Sequence, residues 1–261
     1  MSKASTIKLV GVEKSFGPQR VLCGVDLAIP AGKLTTIIGP SGEGKSVLLK
    51  HMIGLLQPDR GEVWVDGINI AALRSRELNE VRKRFAMLFQ GAALFDSLTV
   101  FENVAFPLRE KLRLPDGEVT KRVEEKLDQV GLAGMGHKYP AELSGGMKKR
   151  AGLARALIME PEIIIFDEPT TGLDPLLAKT IHELILAMHR TFGFTAVMVS
   201  HEIPKIFQLS DWVAMLKDGK IAAMAPSAEF QSISDPVVQE FISVGELEPV
   251  AEGGSPVTKG R

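Results

Sequence analysis

The chain of 261 residues carries 31 Lys and Arg against 32 Asp and Glu, a formal net charge of −1. Proteins that bind nucleic acid through its phosphates are usually clearly basic, so this balance argues against a nucleic-acid partner. With 45% hydrophobic residues, 25 glycines and 15 prolines, the composition is that of an ordinary globular protein. The single cysteine excludes an intramolecular disulfide and favours a reducing compartment.

Membrane-spanning and secretory signals are not expected from the sequence. The first eight residues lack the apolar stretch of a signal peptide, and no run reaches 18 consecutive apolar residues. We therefore expect a chain that does not cross a membrane by itself but that can bind to one through a partner.

The N-terminal third is predicted to be strands and turns that lead into a strand–loop–helix unit. Short apolar or alternating stretches at 7–12, 25–29 and 61–67 are typical of strands. The continuous apolar run at 34–38 is typical of a buried parallel strand. A glycine-rich loop follows this run, and a helix is predicted over 47–56.

The rest of the chain is predicted to be a helical region followed by a second α/β stretch. The helical region spans about 97–159, within which apolar residues recur at helical spacing over 119–130. The second stretch comprises a strand at 163–166, an amphipathic helix at 176–191, a strand at 194–200, and a closing strand pair at 213–216 and 220–224. The α/β core is therefore expected to be interrupted by a helical insert.

The strongest chemical signal is the run Gly39-Pro-Ser-Gly-Glu-Gly-Lys45-Ser46, which fits the pattern G-x-x-x-x-G-K-[ST]. Glycines allow backbone N–H groups to close around phosphate oxygens, and the N-terminus of the following helix adds a positive dipole end. Lys45 is expected to reach the β- and γ-phosphates and Ser46 to bind Mg²⁺. Glu43 occupies a free position of the pattern, and its side chain is assigned no role. The alternative is a glycine turn with a solvated lysine.

Two carboxylates follow directly on a buried strand at Asp167 and Glu168. Ligands of open α/β sheets bind at the carboxyl ends of the strands, so Asp167 is expected to hold Mg²⁺. Glu168 is then expected to act as general base on the attacking water. The alternative is an exposed acidic turn before Pro169.

A third segment, Leu143-Ser-Gly-Gly-Met147, precedes a helix predicted over 148–159 and lies about 20 residues before the carboxylate pair. Ser144 is a plausible helix N-cap, and the two glycines expose backbone N–H groups. Taken alone, the segment is equally compatible with an ordinary capped helix. Its order and spacing resemble the signature motif of ATP-binding cassette (ABC) ATPases, with Met147 in place of the usual glutamine.

The remaining motifs of the ABC family occur in order. Phe16 matches the aromatic residue that stacks on adenine, the alternative being a buried core residue. Gln90 matches the glutamine of the Q-loop, Asp174 the aspartate of the D-loop, and His201 the switch histidine. The resemblance covers residues 6 to about 225 and is specific for an ABC nucleotide-binding domain.

This resemblance implies a fold and a site. The fold is an α/β RecA-like P-loop NTPase core with an N-terminal antiparallel β-subdomain and an inserted α-helical subdomain, together spanning residues 6–245. The catalytic residues are Glu168, His201, Lys45 and Gln90, and the metal ligands are Ser46, Gln90 and Asp167. ATP is bound by Phe16, Gly39, Pro40, Ser41, Gly42, Glu43, Gly44, Lys45, Ser46, Val47, Ser144, Gly145, Gly146 and Asp174. Two copies are expected to sandwich ATP, with Ser144-Gly-Gly146 of one copy facing the phosphate loop of the other.

Three segments resemble more narrowly the ATPases of mammalian-cell-entry (MCE) or Mla-type phospholipid transporters. They are 44–56, 94–108 and 143–147, and segment 235–241 is similar too. The expected partners are therefore an integral-membrane permease, an MCE-type substrate-binding protein and a small STAS-type cytoplasmic subunit. The expected location is the cytoplasmic face of the inner membrane.

Other classes fit the sequence less well. A soluble ABC ATPase of translation would carry two cassettes, and one of DNA repair would carry long coiled-coil insertions. A kinase or GTPase would have no reason for the signature segment. Another ABC importer or exporter stays open as an alternative.

Two regions are expected to contact partners. The apolar residues between Gln90 and Leu108 are predicted to hold the permease, unless they pack inside the insert. Val237, Val238, Phe241 and Ile242 share one helical face that needs a covering surface. The tail at 246–261 is predicted to stabilise the dimer or complex, the alternative being a tail without a role.

Overall fold

The computed structural model describes residues 6–247, with side chains described for residues 6–244. Its strands form two sheets within that range. The first is antiparallel, with strand order β2-β1-β4-β5, and the second has the order β10-β9-β3-β8-β7-β6. The strands are β1 (Ile7–Phe16), β2 (Gln19–Ile29), β3 (Leu34–Ile38), β4 (Arg60–Val65), β5 (Ile68–Asn69), β6 (Phe85–Leu88), β7 (Ile163–Asp167), β8 (Thr195–Val199), β9 (Trp212–Lys217) and β10 (Lys220–Pro226).

The second sheet is parallel except at one edge, where β10 returns antiparallel along β9. Its central strands are buried on both faces, and successive residues serve different cores. Ile163 and Ile165 point into the core shared with the first sheet. Ile164 and Phe166 point into the core shared with the long helices. This alternation explains why the strands are continuous apolar runs.

Helices cover both faces of this sheet. They are α1 (Lys45–Met52), α2 (Ser75–Arg82), α3 (Val100–Lys111), α4 (Asp116–Gln129), α5 (Gly145–Leu157), α6 (Pro175–Phe192), α7 (Lys205–Leu209), α8 (Ser227–Phe230) and α9 (Pro236–Leu247), with 3₁₀ turns at Ile70–Ala72 and Pro140–Glu142. Helices α3 to α5 lie between the neighbouring strands β6 and β7, as a long crossover. No helix of residues 6–247 is long and apolar enough to span a membrane.

Most predicted elements are present, but the prediction of a helix over 47–56 is wrong at both ends. Helix α1 begins at Lys45 and ends at Met52. Gly54 adopts a left-handed φ of 70°. Its N–H donates to His51 O, and the Leu55 N–H donates to Lys50 O. This is the Schellman arrangement, which terminates a helix although apolar residues continue beyond it. Helix α2 and strand β6 were not predicted.

The C-terminal helix α9 packs on its own chain. Val238 and Ile242 are buried in a cluster with residues of β9 and α8, and Phe241 packs against that cluster. Val237, which was predicted to share this face, is 40% exposed and is not covered by the cluster. The residues from 248 onward lie outside the described part of the chain, and so does the predicted role of the tail.

Candidate functional site

The sheet brings the predicted phosphate loop, carboxylates and histidine to one edge. Strands β3, β7 and β8 are parallel neighbours, and their carboxyl ends lie side by side. The loop 39–44 follows β3, Asp167 ends β7, and His201 comes shortly after β8. The parallel order therefore assembles groups that are more than 120 residues apart in sequence.

Two glycines of the phosphate loop are required by close contacts. A Cβ on Gly39 would lie 2.1 Å from the carbonyl oxygen of Leu216, so β9 allows no side chain there. Gly44 has a φ of 95°, and a Cβ there would lie 2.6 Å from Val21 Cγ1. Because Gly44 immediately precedes α1, the free amides of Lys45, Ser46 and Val47 face the loop. Ser41 and Gly42 are exposed at its tip.

The Lys45 ammonium lies inside the phosphate loop. It is buried and donates to Gly39 O and Pro40 O, at 2.7 Å each. Burial lowers the pKa of Lys45, while the charges of Glu168, Glu43 and Asp167 oppose that shift. A desolvated cation held by two carbonyls gains a stronger interaction when a phosphate replaces them.

The negative charge of Glu43 beside an anion site is explained by an ion pair. Glu43 Oε1 lies 3.4 Å from Lys217 Nζ at the end of β9. The Glu43 side chain is 16% exposed. Glu43 therefore ties the loop tip to the sheet. No sequence motif pointed to Lys217.

Ser46 and Asp167 meet, as expected of two ligands of one cation. The Ser46 hydroxyl donates to Asp167 Oδ1 at 3.2 Å. Burial raises the pKa of Asp167, and the bond from Ser46 opposes that shift. Among the described residues no three His, Cys, Asp or Glu side chains cluster as a metal site. The Ser46 hydroxyl and the Asp167 carboxylate suit Mg²⁺, which uses few protein oxygens together with substrate phosphates.

Glu168 and His201 are also adjacent. The distance from Glu168 Oε1 to His201 Nδ1 is 3.8 Å. Thr171 donates its hydroxyl to the other carboxylate oxygen at 3.0 Å, which fixes the rotamer of Glu168. Glu168 has a left-handed φ of 48°, a conformation that costs about 1–3 kcal/mol in a non-glycine residue. Backbone strain of this kind is concentrated at functional sites.

A polar network lies behind this pair and was missed by the sequence reasoning. The Thr170 hydroxyl donates to the Glu202 carboxylate and lies 3.4 Å from His182 Nε2 on α6. Burial lowers the pKa of His182, while the charge of Glu202 opposes that shift. The network joins the segments that carry Glu168 and His201. The only hint of this network in the sequence was the position of Glu202 directly after His201.

Two other predicted residues lie apart from these contacts. Phe16 is 46% exposed at the β1–β2 turn, which excludes the core alternative. Its hairpin reaches the phosphate loop through Val21. The Asp174 carboxylate accepts from the N–H groups of Leu176 and Leu177 at 3.0 Å and so caps α6. In this structure the Asp174 side chain stabilises the N-terminus of α6.

The predicted signature segment begins α5. Ser144 is the N-cap, its hydroxyl accepting from Met147 N–H at 3.3 Å, and both Ser144 and Gly145 are exposed. The helix thus begins at Gly145, three residues earlier than predicted. Gly146 is buried, and a Cβ on it would lie 3.3 Å from Leu177 Cδ2. Ser144 and Gly145 present the segment to solvent, whereas Gly146 is packed against Leu177.

Gln90 follows β6, two residues beyond the partner of Phe166, at the same sheet edge. Gln90 is exposed, and its backbone carbonyl accepts a hydrogen bond from the buried Lys149 ammonium on α5. Lys149 was not predicted to belong to the site.

An apolar groove of about 420 Å³ lies beside the Q-loop, residues 89–93. Its exposed aromatic side chains are Phe89, Phe95 and Phe106, with Phe95 and Phe106 in contact at 5.0 Å between ring centroids. The buried Asn103 amide holds the loop by donating to Phe95 O and accepting from Phe95 N–H. Leu94, by contrast, packs against the helical core. The apolar residues between 90 and 108 are therefore divided between groove and core.

A cassette fold with an assembled phosphate loop, a carboxylate pair and an exposed signature segment defines an ABC ATPase. The ABC transporter family profile matches residues 22–171, and the chain belongs to that family. The sequence-based fold class is confirmed: the solved neighbours are ABC cassettes. The dimeric post-hydrolysis structure of the ATP-binding cassette MJ0796 bound to ADP and Pi superposes with a TM-score of 0.77 at 34% identity, over 85% of this chain and 98% of that chain.

Among curated relatives, the chain is 41% identical to the intermembrane phospholipid transport system ATP-binding protein MlaF of Escherichia coli K12. That match covers 98% of this chain and 93% of MlaF. This chain is also 41% identical to the probable ribonucleotide transport ATP-binding protein mkl of Mycobacterium leprae, over 96% of this chain and 72% of that protein.

Proposed function

We propose that this chain is the ATP-hydrolysing subunit of an ABC transporter that moves phospholipid between membranes of the bacterial envelope. The observation that carries the ATPase assignment is the assembly at the sheet edge. Ser46 meets Asp167 there, and Glu168 lies 3.8 Å from His201. We assign residues 6–245 to one ATPase unit, with 97–159 as its helical subdomain.

Nucleotide binding follows from the loop and the aromatic residue. The α1 amides and the glycine-rich loop of 39–47 bind the phosphates, and Lys45 exchanges its two carbonyl partners for β- and γ-phosphate oxygens. Exposed Phe16 offers its ring to the adenine. Asp174 acts through its backbone and α6, since its carboxylate caps the helix.

Mg²⁺ fits the oxygens at the sheet edge. Ser46 and Asp167 supply a hydroxyl and a carboxylate oxygen within 3.2 Å of each other, and Gln90 offers an amide oxygen at the same edge. When bound, Mg²⁺ neutralises charge on the β- and γ-phosphates. Asp167 is then stabilised in its ionised form, against the effect of its burial.

Hydrolysis follows from Glu168 and His201. Thr171 occupies one oxygen of the Glu168 carboxylate, which leaves the other to accept a proton from water. His201 is 54% exposed and its Nδ1 lies 3.8 Å from that oxygen, so its ring is accessible to a bound nucleotide. We assign it to holding the γ-phosphate and the attacking water.

A second copy completes the site. Ser144 and Gly145 are exposed at the start of α5, where backbone N–H groups are free to bind a phosphate of the partner's ATP. Such a contact is isologous, and it makes ATP the link between the copies.

The groove beside the Q-loop fits a short permease helix. Phe89, Phe95 and Phe106 offer a continuous apolar surface, the usual receptor for an amphipathic helix. The permease places this chain on the cytoplasmic face of the inner membrane. An MCE-type substrate-binding protein and a small STAS-type subunit complete the proposed complex.

Phospholipid is favoured over ribonucleotide as substrate by the length of the relatives, since sequence identity does not separate them. MlaF and mkl match equally well at 41%, but this chain covers 93% of MlaF against 72% of mkl. The test is reconstitution of the complex, purified through a tag on this chain, in vesicles. ATP-dependent transfer of a fluorescent phospholipid, lost in Glu168→Gln, supports the proposal. ATP-dependent ribonucleotide uptake without lipid transfer overturns the substrate assignment.

A further inference from the structure

Helix α5 contacts the Q-loop, defined as residues 89–93, with cationic side chains. Lys149 donates to the carbonyl oxygen of Gln90. Arg155 donates to those of Ala92 and Ala93 at 2.8 Å each. Three of the five carbonyls of the Q-loop therefore accept bonds from one helix. That helix begins at the signature segment.

The Q-loop backbone needs such support. Ala92 and Ala93 have left-handed φ angles of 60° and 48°, which non-glycine residues rarely adopt in succession. Helix α5 also touches the loop directly: a Cβ on Gly152 would lie 3.1 Å from Ala92 Cβ. A loop strained in this way keeps its shape only while its surroundings over-determine it.

Packing alone does not explain a lysine at position 149, because removing its ammonium from water is unfavourable. Lys149 is 5% exposed, so its ammonium is largely removed from water. The acid that opposes its desolvation is Glu168, and burial lowers the pKa of Lys149 despite that charge. An apolar side chain of the same length would fill the space without this cost. The ammonium is therefore explained by what it binds.

We propose that Lys149 is a positioning residue that fixes the backbone of Gln90 to the signature helix, so that the Gln90 side chain stays aligned with the metal ligands. Because Lys149 lies on α5, the helix that Ser144 caps, a movement of the signature segment moves the Q-loop with it. This inference rests on the proposed function for the role of Gln90, but the contact itself does not.

The first test is hydrogen exchange of the full chain without nucleotide. Lys149→Met keeps length and apolar volume and removes the donor. Exchange of amides 89–95 should become roughly tenfold faster, the effect of losing one hydrogen bond from a charged donor. The melting temperature should be unchanged or higher, because a buried charge is gone.

Lys126→Met is the matched control. Lys126 is also buried, with a pKa lowered by desolvation, but its ammonium lies over Phe192 at 4.3 Å, in contact with α6. Its replacement should leave exchange at 89–95 unchanged. If Lys149→Met does not fold, Lys149→Leu, which also lacks a donor, takes its place, with the same expected direction.

The second test is the Mg²⁺ dependence of ATP hydrolysis by the same variants. Lys149→Met should need about tenfold more Mg²⁺ for half-maximal rate, as is usual when a residue supporting a ligand is lost. The KM for ATP should change little, since the phosphate loop is intact. The proposal requires both effects. Unchanged exchange at 89–95, unchanged Mg²⁺ dependence, or a general loss of stability overturns it.

The two proposals fail separately. Wild-type chain that hydrolyses no ATP would overturn the proposed function, while exchange at 89–95 would still test the contact between Lys149 and Gln90.

Discussion

The phosphate loop and the signature segment are both short, glycine-containing loops at a helix N-terminus, yet their polar groups are used differently. In the phosphate loop, Lys45 binds two carbonyls, Ser46 binds Asp167, and Glu43 binds Lys217. In the signature segment, Ser144 makes one capping bond, and its exposed neighbour Gly145 faces solvent. One loop is completed by its own chain, and the other offers its groups outward.

This difference indicates where each loop finds its ligand. Groups already oriented by the chain can bind a nucleotide in a single copy. Groups that face solvent from a rigid helix end need a second surface, and in the proposed dimer that surface carries the partner's ATP. Variants should therefore separate binding within one copy from hydrolysis by two.

The largest effect is expected for Glu168→Gln, which replaces the proposed base by an amide of the same shape. The hydrolysis rate should fall about a thousandfold, within the range for loss of a general base. ATP binding should persist, and the chain should accumulate as ATP-bound dimers on size exclusion. Thr171→Val is a graded control, since it only frees the Glu168 rotamer. Near wild-type turnover of Glu168→Gln would show that Glu168 is not the base.

The next largest effect is expected for Ser144→Asp, which keeps an N-cap but places a negative charge toward a phosphate. Hydrolysis should fall roughly a hundredfold, comparable to loss of a transition-state donor. Binding of ATP to the single copy should not change. Ser144→Asn is the neutral control of the same size and should retain most activity.

Mixing Ser144→Asp with Lys45→Ala sharpens the comparison. If the signature segment acts on the partner's ATP, the mixed dimer holds one site with both lesions and one intact site. Partial activity, where neither parent is active, places the two loops in different copies. A Ser144→Asp chain that fails to bind ATP as a single copy would instead place both loops on the same nucleotide.

A smaller effect is expected for Phe95→Glu in the groove. Folding should be retained because the ring is 45% exposed, while co-purification with the permease should drop several-fold because the apolar surface is interrupted. Ile68→Glu, at a 43% exposed apolar residue of the first sheet, is the control. Leu94 is unsuitable, since it packs against the helical core. Undiminished co-purification of Phe95→Glu would place the permease elsewhere.

The smallest effect is expected for Asp167→Asn on the stability of the nucleotide-free chain. Burial raises the pKa of Asp167 above 3.8, so the folded state holds the proton more tightly and ionisation costs stability. At pH 7 the variant should melt roughly 2–4 °C higher, which corresponds to about 1 kcal/mol in a chain of this size. The gain should shrink as the pH falls and vanish below 3.8, where the wild-type carboxyl is protonated in both the folded and the unfolded state.

Asp59→Asn is the control of opposite sign, because hydrogen bonds from Lys14 and Ser15 lower the pKa of Asp59. It should melt lower than wild type at pH 7. Equal melting of the Asp167→Asn and wild-type chains between pH 4 and 7 would show that burial of Asp167 carries no cost.

The sequence by itself was sufficient for the class of fold, and it supplied the prediction of which groups form the nucleotide site. Residues 39–46 fit the spacing of a phosphate-binding loop, and the runs at 34–38 and 163–166, which are typical of buried strands, form β3 and β7. Local patterns of this kind are readable because backbone geometry and side-chain period act over a few residues. The order of the motifs then identified the family.

Only the tertiary structure decided how those groups are supported. The partners of Glu43, Gln90 and Glu168 are Lys217, Lys149 and Thr171, and the first two lie tens of residues or more away in sequence. No local pattern distinguishes a solvated lysine from one folded into the protein, because burial depends on the packing of distant elements. The same holds for the burial of Gly146, which packs against Leu177 on another helix.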